Sequence, residues 1–355
     1  MKILHIITNT ELGGAQNVCV ALANAASADG NELAVASMAG GYLWEQLDKR
    51  VIQFYVKNMV KAINPLADIK CLFELRKLIK KFNPDIIHLH SSKAGVLGRL
   101  ATKKYQKKII YTIHGFDSVR LKHRIFLSLE RILQKACAFI VPVSEYDKNN
   151  LRKEKIIHNV YTIHNGVAIS NIHNECPFDR KAYKKTIMTI ARISKQKRFD
   201  MFLEIAARAE MREYLFVWIG ASAKKSIKEI KTAYEVPANV ILLGDYPNAS
   251  SLIKYCDLFV LFSNYEGLPI SVIEAMANEK AIVASDVGAL SELLDSSNGA
   301  LVKNTDDAIS AIQKILSDNV LLQSMEKASL QKYKDFFTLE KMWEKYKRLY
   351  KSLSK

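Results

Sequence analysis

Short apolar runs alternate with amphipathic segments along almost the whole of this chain, and that alternation is the strongest constraint on its fold. KILHIIT (residues 2–8), ELAVASM (32–38), DIIHLH (85–90), KKIIYTIH (107–114) and AFIVPVS (138–144) read as strands. Between them lie the helix-like segments NVCVALANAASADG, KCLFELRKLIKKF and HRIFLSLERILQKA, the last two with an apolar stripe and a heavily basic face. Past residue 183 the alternation resumes with strands KKTIMTIAR, YLFVWIG, NVILLG, DLFVLF and KAIVAS and helices FDMFLEIAARAE and SIKEIKTAYE. Strands alternating with helices call for parallel sheets covered on both faces. The prediction is an α/β chain of two Rossmann-like, doubly wound domains. The first is expected over residues 1–167 and the second over 168–335, with Ala168–Lys185, which holds Pro177 and little periodicity, as linker. Residues 336–355 should form a helix long enough to pack back on the N-terminal domain.

A chain of 355 residues is long enough for two such cores, and 49% apolar with 25% charged residues is ordinary globular composition. No apolar run reaches the roughly 18–20 residues that a membrane-crossing helix needs. MKILHIIT has no small-residue cleavage site, so no signal peptide is expected. Five scattered cysteines, none in a C-x-x-C pair, fit a reduced, cytoplasmic compartment with neither disulfides nor zinc. The net charge of +16 is lopsided: residues 1–165 hold 25 Lys and Arg against 13 Asp and Glu, the remainder 27 against 23. Such an imbalance suggests a polyanionic partner, nucleic acid or an anionic membrane surface, although a lysine-rich solubility bias would give the same count.

The stretch Asn264–Ala277, NYEGLPISVIEAMA, follows the apolar run 257–262 and precedes AIVASDVGAL. It reads as a strand, a loop holding Glu266, Gly267 and Pro269, and a helix carrying Glu274. Two carboxylates eight residues apart, one at a strand end and one about a turn into the helix, can both face the crevice outside the carboxyl ends of parallel strands. The pattern resembles the E-x7-E motif of retaining glycosyltransferases with the two-domain GT-B fold, particularly glycosyltransferase family 4. Under that resemblance the two domains face each other across a cleft. Glu266 is then expected beside the donor sugar and Glu274 on the ribose hydroxyls of the donor nucleotide, while the Gly267 and Leu268 amides at the foot of the helix can hold sugar or phosphate oxygens.

Arg192 and Lys197 match the family's R-x4-K residue by residue. Cleaving a sugar–phosphate bond leaves a nucleoside diphosphate whose developing charge two fixed cations can stabilise. Glu11-Leu12-Gly13-Gly14-Ala15-Gln16 joins the first strand to the first helix, where Gly13 and Gly14 let the backbone approach a ligand at a helix N-terminus. A tight turn alone would also use them, and the spacing is not the G-x-G-x-x-G of nicotinamide enzymes. In family 4 a GGA loop here lies by the donor diphosphate. His114, beside Gly115 just past a strand, can donate a hydrogen bond to a sugar hydroxyl, and the family has a cleft histidine in the matching place. Gly220 and Gly244-Asp245-Tyr246 follow two further strands and would flank the nucleobase, although WIGASA lacks the G-x-G form common there. His88 and His90 share a strand face, but no third ligand with metal-site spacing is evident. HLHSSKAGVLGRLA resembles a segment of family members that build surface polysaccharides, which makes His90, Ser91 and Lys93 acceptor-side candidates.

The function expected from these residues is retaining, hexosyltransferase-type transfer (EC 2.4) from a nucleotide sugar, a UDP-sugar first, to a glycan acceptor, lipid-linked or free. A polyprenyl-diphosphate-linked sugar in capsule, exopolysaccharide or lipopolysaccharide assembly is the acceptor favoured. The family transfers by front-face attack in which the departing phosphate takes the acceptor's proton, so no carboxylate is assigned as base. No D-x-D occurs in the chain, and metal-independent transfer without a cofactor is expected. Lys103, Lys104, Lys107, Lys108, Arg120, Lys122 and Arg124, with Phe126 and Leu127 nearby, suit an anionic leaflet, which predicts a peripheral protein on the inner face of the cell membrane and no nucleic-acid partner. The alternatives are a nucleotide-sugar 2-epimerase of the same fold, a sugar phosphorylase, which lacks support in the chain's length and motifs, and a basic nucleic-acid-binding protein, which would explain the charge but not E-x7-E.

Overall fold

The computed structural model describes residues 1–11, 13–122, 124–169, 172, 174–222 and 225–354, without the side chains of Lys103, Lys122 and Ile125. These residues form two compact units, Met1–Gly166 together with the segment from Leu339, and Val167–Thr338.

In the first unit six strands, β1 (Lys2–Ile7), β2 (Glu32–Ser37), β3 (Ile52–Tyr55), β4 (Ile86–His90), β5 (Ile109–Ile113) and β6 (Phe139–Pro142), make one sheet in the order β3-β2-β1-β4-β5-β6. Every pairing is parallel. Helices α1 (Gly14–Ala28), α2 (Pro65–Phe82), α3 (Ser92–Ala101), α4 (Asp117–Lys122), α5 (Ile125–Leu133) and α6 (Glu145–Lys153) make the crossovers. Their local chemistry is conventional. Asn64 caps α2 by accepting from the Ala67 amide, Pro65 opens it, and Asn83 closes it in the left-handed conformation. Gly95 and Gly98 let α3 lie against Tyr111 and Leu89, where a Cβ would overlap either side chain.

The second unit repeats the plan with β7 (Lys185–Ile190), β8 (Tyr214–Ile219), β9 (Val240–Gly244), β10 (Leu258–Leu261), β11 (Ala281–Ser285) and β12 (Gly299–Val302), again all parallel. Its order, β12-β11-β10-β7-β8-β9, is the same arrangement as that of the first sheet. Around it run α7 (Phe199–Ala207), α8 (Ile227–Ala233), α9 (Ile270–Ala277), α10 (Leu290–Leu293), α11 (Thr305–Ser317) and α12 (Asn319–Phe336). Two doubly wound α/β units are thus present, as the alternation predicts. β3 and β12 are not signalled by the sequence. Both have four residues and lie at sheet edges, and three of the four in β3 are exposed, so each is too short a segment to stand out.

Helix α13 (Leu339–Leu353) belongs to the first unit. Trp343 Nε1 donates to Asp29 Oδ2 at 2.9 Å and Lys347 Nζ lies 2.6 Å from the same carboxylate. Tyr350 and Tyr346, both buried, bond His88 Nδ1 at 2.7 Å and Thr112 Oγ1 at 2.9 Å. Strand order reverses between β1 and β4 and again between β7 and β10. In open sheets the carboxyl ends at such switch points are where ligands bind.

Candidate functional site

In the second unit the switch point brings together residues far apart in sequence. After β7 the chain makes a tight turn in which the Ser194 hydroxyl accepts from the Lys197 amide and Arg198 takes a left-handed conformation. After β10 the loop carrying Glu266 lies alongside. The Asn264 amide donates to Gln196 O at 2.8 Å, Asn264 Nδ2 to Lys195 O at 2.8 Å and Gln196 Nε2 to Tyr265 O at 3.0 Å. This stitching places Lys197 Nζ 2.6 Å from Glu266 Oε1, and Ser263 Oγ donates to the same oxygen at 2.5 Å. The pair is largely removed from solvent, with side-chain exposures of 18% and 6%. Gly288, at φ 61°, admits the loop: a Cβ there would sit 2.0 Å from Glu266 O.

Arg192 stands exposed on the same turn, and its guanidinium has no partner among the described residues. Glu274, the fifth residue of α9, is half-buried and likewise makes no side-chain hydrogen bond or ion pair among them. Burial pushes its carboxyl up to about 7. A carboxylate left in that condition has the acceptor capacity that a pair of hydroxyls would satisfy. At the ends of β8 and β9, Gly220 (φ 128°) packs its α-carbon where a Cβ would meet Ala191 O at 2.2 Å, and Asp245 Oδ1 accepts from the Ala221 amide at 2.8 Å. Gly267 and Leu268 directly precede Pro269 and α9. Of the donor-side residues read from the sequence, those of the second unit lie around the carboxyl ends of β7, β8, β9 and β10, whereas Gly13 and Gly14 lie in the first unit at the start of α1.

The first unit's switch point is furnished differently. Gly13 heads α1 with no capping side chain and no acidic residue in the first turn, which leaves the positive end of the helix uncompensated. A Cβ on Gly13 would collide with Gln16, whose Nε2 donates to Asn9 O at 3.0 Å. Leu12 of this loop lies outside the described residues. Ser91 holds a positive φ of 71° at the end of β4, a strained position of the kind that functional loops retain, and its hydroxyl lies 3.0 Å from Thr8 Oγ1. His114 follows β5, and its Nε2 lies 3.0 Å from His90 Nδ1. His90 Nε2 is in turn 3.0 Å from His5 Nδ1. His88 is directed elsewhere, to Tyr350 and Thr112.

Two features escape the sequence reading. His5 is a lone polar residue in an apolar strand, and buried parallel strands carry few of those, so each requires a partner. Through α1 the fold also brings Cys19 near this group: Cys19 Sγ, His5 Nδ1 and His90 Nε2 lie within 4.8 Å of one another. Lys93 is engaged in structure, its ammonium 2.6 Å from Asp68 Oδ1 and bonded to Ala62 O.

Of the basic cluster, Lys103 and Lys122 have side chains outside the described set. Leu127, read from the sequence as a surface neighbour of these lysines, is buried in the core, Phe126 packs against that core, and Arg120 is paired with Asp117 at 2.8 Å. Leu121, between Arg120 and Lys122, is 51% exposed, and a denser group of exposed apolar residues lies on α2. Leu66, Ile69 and Phe73 are 75%, 53% and 62% exposed while Cys71, Leu75 and Ile79 of the same helix are buried.

Residues 12–171 match the family described as Glycosyltransferase Family 4, and residues 177–332 match Glycosyl transferases group 1. An Escherichia coli UDP-Gal:alpha-D-GlcNAc-diphosphoundecaprenol alpha-1,3-galactosyltransferase is 26% identical over 99% of this chain and 96% of its own. The O-antigen biosynthesis glycosyltransferase WbnH of E. coli is 28% identical over 88% of this chain and 89% of its own. Among solved structures, Anabaena HepE in complex with UDP and glucose superposes with a TM-score of 0.85 at 18% identity, covering 99% of this chain and all of that one.

Proposed function

The chain belongs to the glycosyltransferases of Family 4 and group 1, and on that premise we propose that it transfers a hexose from a UDP-sugar to a polyprenyl-diphosphate-linked sugar in the assembly of a bacterial surface polysaccharide. The E. coli relative named for transfer from UDP-Gal to a diphosphoundecaprenol-linked sugar supports both substrates, and the fold shared with a UDP-bound protein is consistent with the donor.

The observation that carries the reading is the Lys197–Glu266 pair with Arg192, unpaired among the described residues, on the turn that leads to Lys197. As the sugar–phosphate bond breaks, negative charge grows on the departing diphosphate, and preorganised cations in a partly dried site stabilise it at no cost in reorganisation. Lys197 is held by Glu266, and Arg192 is free to take a phosphate oxygen in a bidentate bond. Glu266 has Oε1 fixed by Lys197 and Ser263, which leaves Oε2 for a sugar hydroxyl. Glu274 takes the ribose hydroxyls. Transfer proceeds with retention, the leaving phosphate oxygen accepting the acceptor's proton, so neither glutamate acts as base. Arg192 and Lys197 supply the charge that a metal ion supplies elsewhere, and activity should survive chelation.

The exposed stripe on α2, flanked by Lys70, Arg76 and Lys77, suits an anionic bilayer surface, where the acceptor lipid is anchored. No helix among the described residues is long and apolar enough to cross a membrane.

The test incubates the protein with a panel of UDP-hexoses and a polyprenyl-diphosphate-linked sugar in liposomes, in EDTA, and identifies products by mass and by the anomeric proton coupling. An α-linked, lipid-borne disaccharide is expected. An epimerised nucleotide sugar without transfer would refute the proposal, and binding indifferent to anionic lipid content would remove its membrane part.

A further inference from the structure

Three histidines of the first unit form a line across its three central strands: His5 in β1, His90 in β4 and His114 just past β5. Both N···N separations are 3.0 Å. The rings are nearly parallel, 13° and 20° apart, with centroids 5.2 and 5.3 Å apart. At those centroid distances, 3.0 Å between nitrogens means that the rings meet edge to edge, the geometry of N–H···N hydrogen bonds and not of face stacking. The two outer nitrogens, His5 Nε2 and His114 Nδ1, are buried and have no partner among the described residues.

Burial lowers the basicity of all three rings, His5 to about 3, His114 to about 4 and His90 well below its usual value. The line therefore holds three neutral imidazoles, each with one proton. Only two arrangements then satisfy both links. In one, His5 Nδ1–H donates to His90 and His90 Nδ1–H donates to His114, leaving His114 Nδ1–H as a donor and a bare lone pair at His5 Nε2. In the other every proton is reversed, which moves the partnerless N–H to His5 and the bare lone pair to His114. His5 lies wholly in the core, whereas His114 is half-buried just past β5, so an N–H without an acceptor costs less at His114, where a ligand can supply one.

We propose that His5 and His90 are positioning residues that lock His114 as an Nδ1–H donor, so that this unit offers the transferring sugar or its acceptor a hydrogen-bond donor and never a base. The role in transfer rests on the glycosyltransferase reading above; the tautomer lock does not. The lock fits a reaction in which the leaving phosphate, not the protein, takes the acceptor's proton. A histidine free to exchange tautomers would present a lone pair half the time and lose the hydroxyl it orients.

The lock is read in the ligand-free protein, labelled with 15N histidine, which keeps it separable from the activity. Expected are 15N–15N couplings across the His5 Nδ1–His90 Nε2 and His90 Nδ1–His114 Nε2 hydrogen bonds, with His114 and His90 both as Nδ1–H tautomers. An Nε2–H tautomer at His114, absent couplings, or a stoichiometric metal ion held by His5, Cys19 and His90 in the purified protein would each overturn it. The kinetic arm compares substitutions at His90. Asparagine keeps a donor where Nδ1 stood and should retain kcat within about threefold, while leucine should lower kcat by about ten- to a hundredfold with the donor KM little changed, the range seen for other histidines deprived of an orienting partner. Equal kcat values in folded His90→Asn and His90→Leu proteins would show that the lock has no part in transfer. Should His90→Leu not fold, His5→Leu replaces it: a mixed His114 tautomer with unchanged kcat refutes the positioning role, and a mixed tautomer with reduced kcat supports it.

Discussion

Two sheets with the same strand order end, at their switch points, in opposite chemistry. The second unit places Arg192, Lys197, Glu266 and Glu274 around the ends of β7 and β10, a charged site that holds, among the described residues, one buried ion pair and two partnerless groups. The first places His5, His90, His114, Thr8 and Ser91 around β1, β4 and β5, a neutral site whose polar atoms are mostly spent on one another. Their common scaffold shows that the fold supplies only a place for a ligand; the side chains set which part of a reaction each place can serve. Fixed cations suit a diphosphate leaving group. Uncharged side-chain donors suit hydroxyls, while the uncompensated N-terminus of α1 is the feature of this site that would favour an anion.

The largest effect should come from the charged side. Arg192→Ala and Lys197→Ala should each lower kcat/KM by about 10²–10³-fold, the cost of deleting one transition-state charge contact, whereas Thr8→Val and Ser91→Ala in the neutral site should cost less than tenfold. Steady-state kinetics with a fixed acceptor would check it, and equal losses on the two sides would break the comparison.

A stability measurement sharpens it by separating ion pairs that hold the fold from those that serve the site. Arg99 and Glu130 form a buried pair at 2.6 Å in the first unit, with Arg99 also on Gly95 O and over the Tyr111 ring at 4.5 Å. Removing one partner strands a charge, so Glu130→Gln should cost about 3–5 kcal/mol of unfolding free energy, visible in denaturant melts, with kcat nearly unchanged in the protein that remains folded. Because Lys197→Ala leaves Glu266 less than a tenth exposed without its cation, that variant should be both destabilised and inactive.

The smallest effect is a pH dependence confined to the charged side. Ribose hydroxyls donating to Glu274 favour its ionised form, so nucleotide binding should release a proton. Affinity should be greatest above pH 7 and fall about tenfold per unit as pH drops through the free-state value near 7, until the lower value of the bound state is reached. Glu274→Gln should bind weakly with a flat profile. Calorimetry at several pH values in two buffers reads both the affinity and the proton.

What the sequence disclosed of all this follows from distance along the chain. Glu266 and Glu274 belong to one strand–loop–helix unit, so their spacing alone places them near each other. Lys197 and Glu266 are 69 residues apart, and only the pairing of β7 with β10 makes them partners. The link from His5 to His90 spans 85 residues, and His5 sits in a strand whose apolar character hides it. Buried strands announce themselves because they exclude water on both faces, as β4, β5, β8 and β10 do. The edges β3 and β12 are four residues long and only partly buried, too short to stand out, and Leu127 shows the converse, a core residue masked by the lysines and arginines around it.

The most direct test of the division between the two units is a calorimetric titration of UDP, without any sugar, into wild type, Arg192→Ala and His114→Ala. The account predicts that Arg192→Ala weakens binding about ten- to a hundredfold, the value of a charge-assisted contact, and that His114→Ala stays within about twofold. UDP affinity indifferent to Arg192, or lost equally with His114, would contradict it.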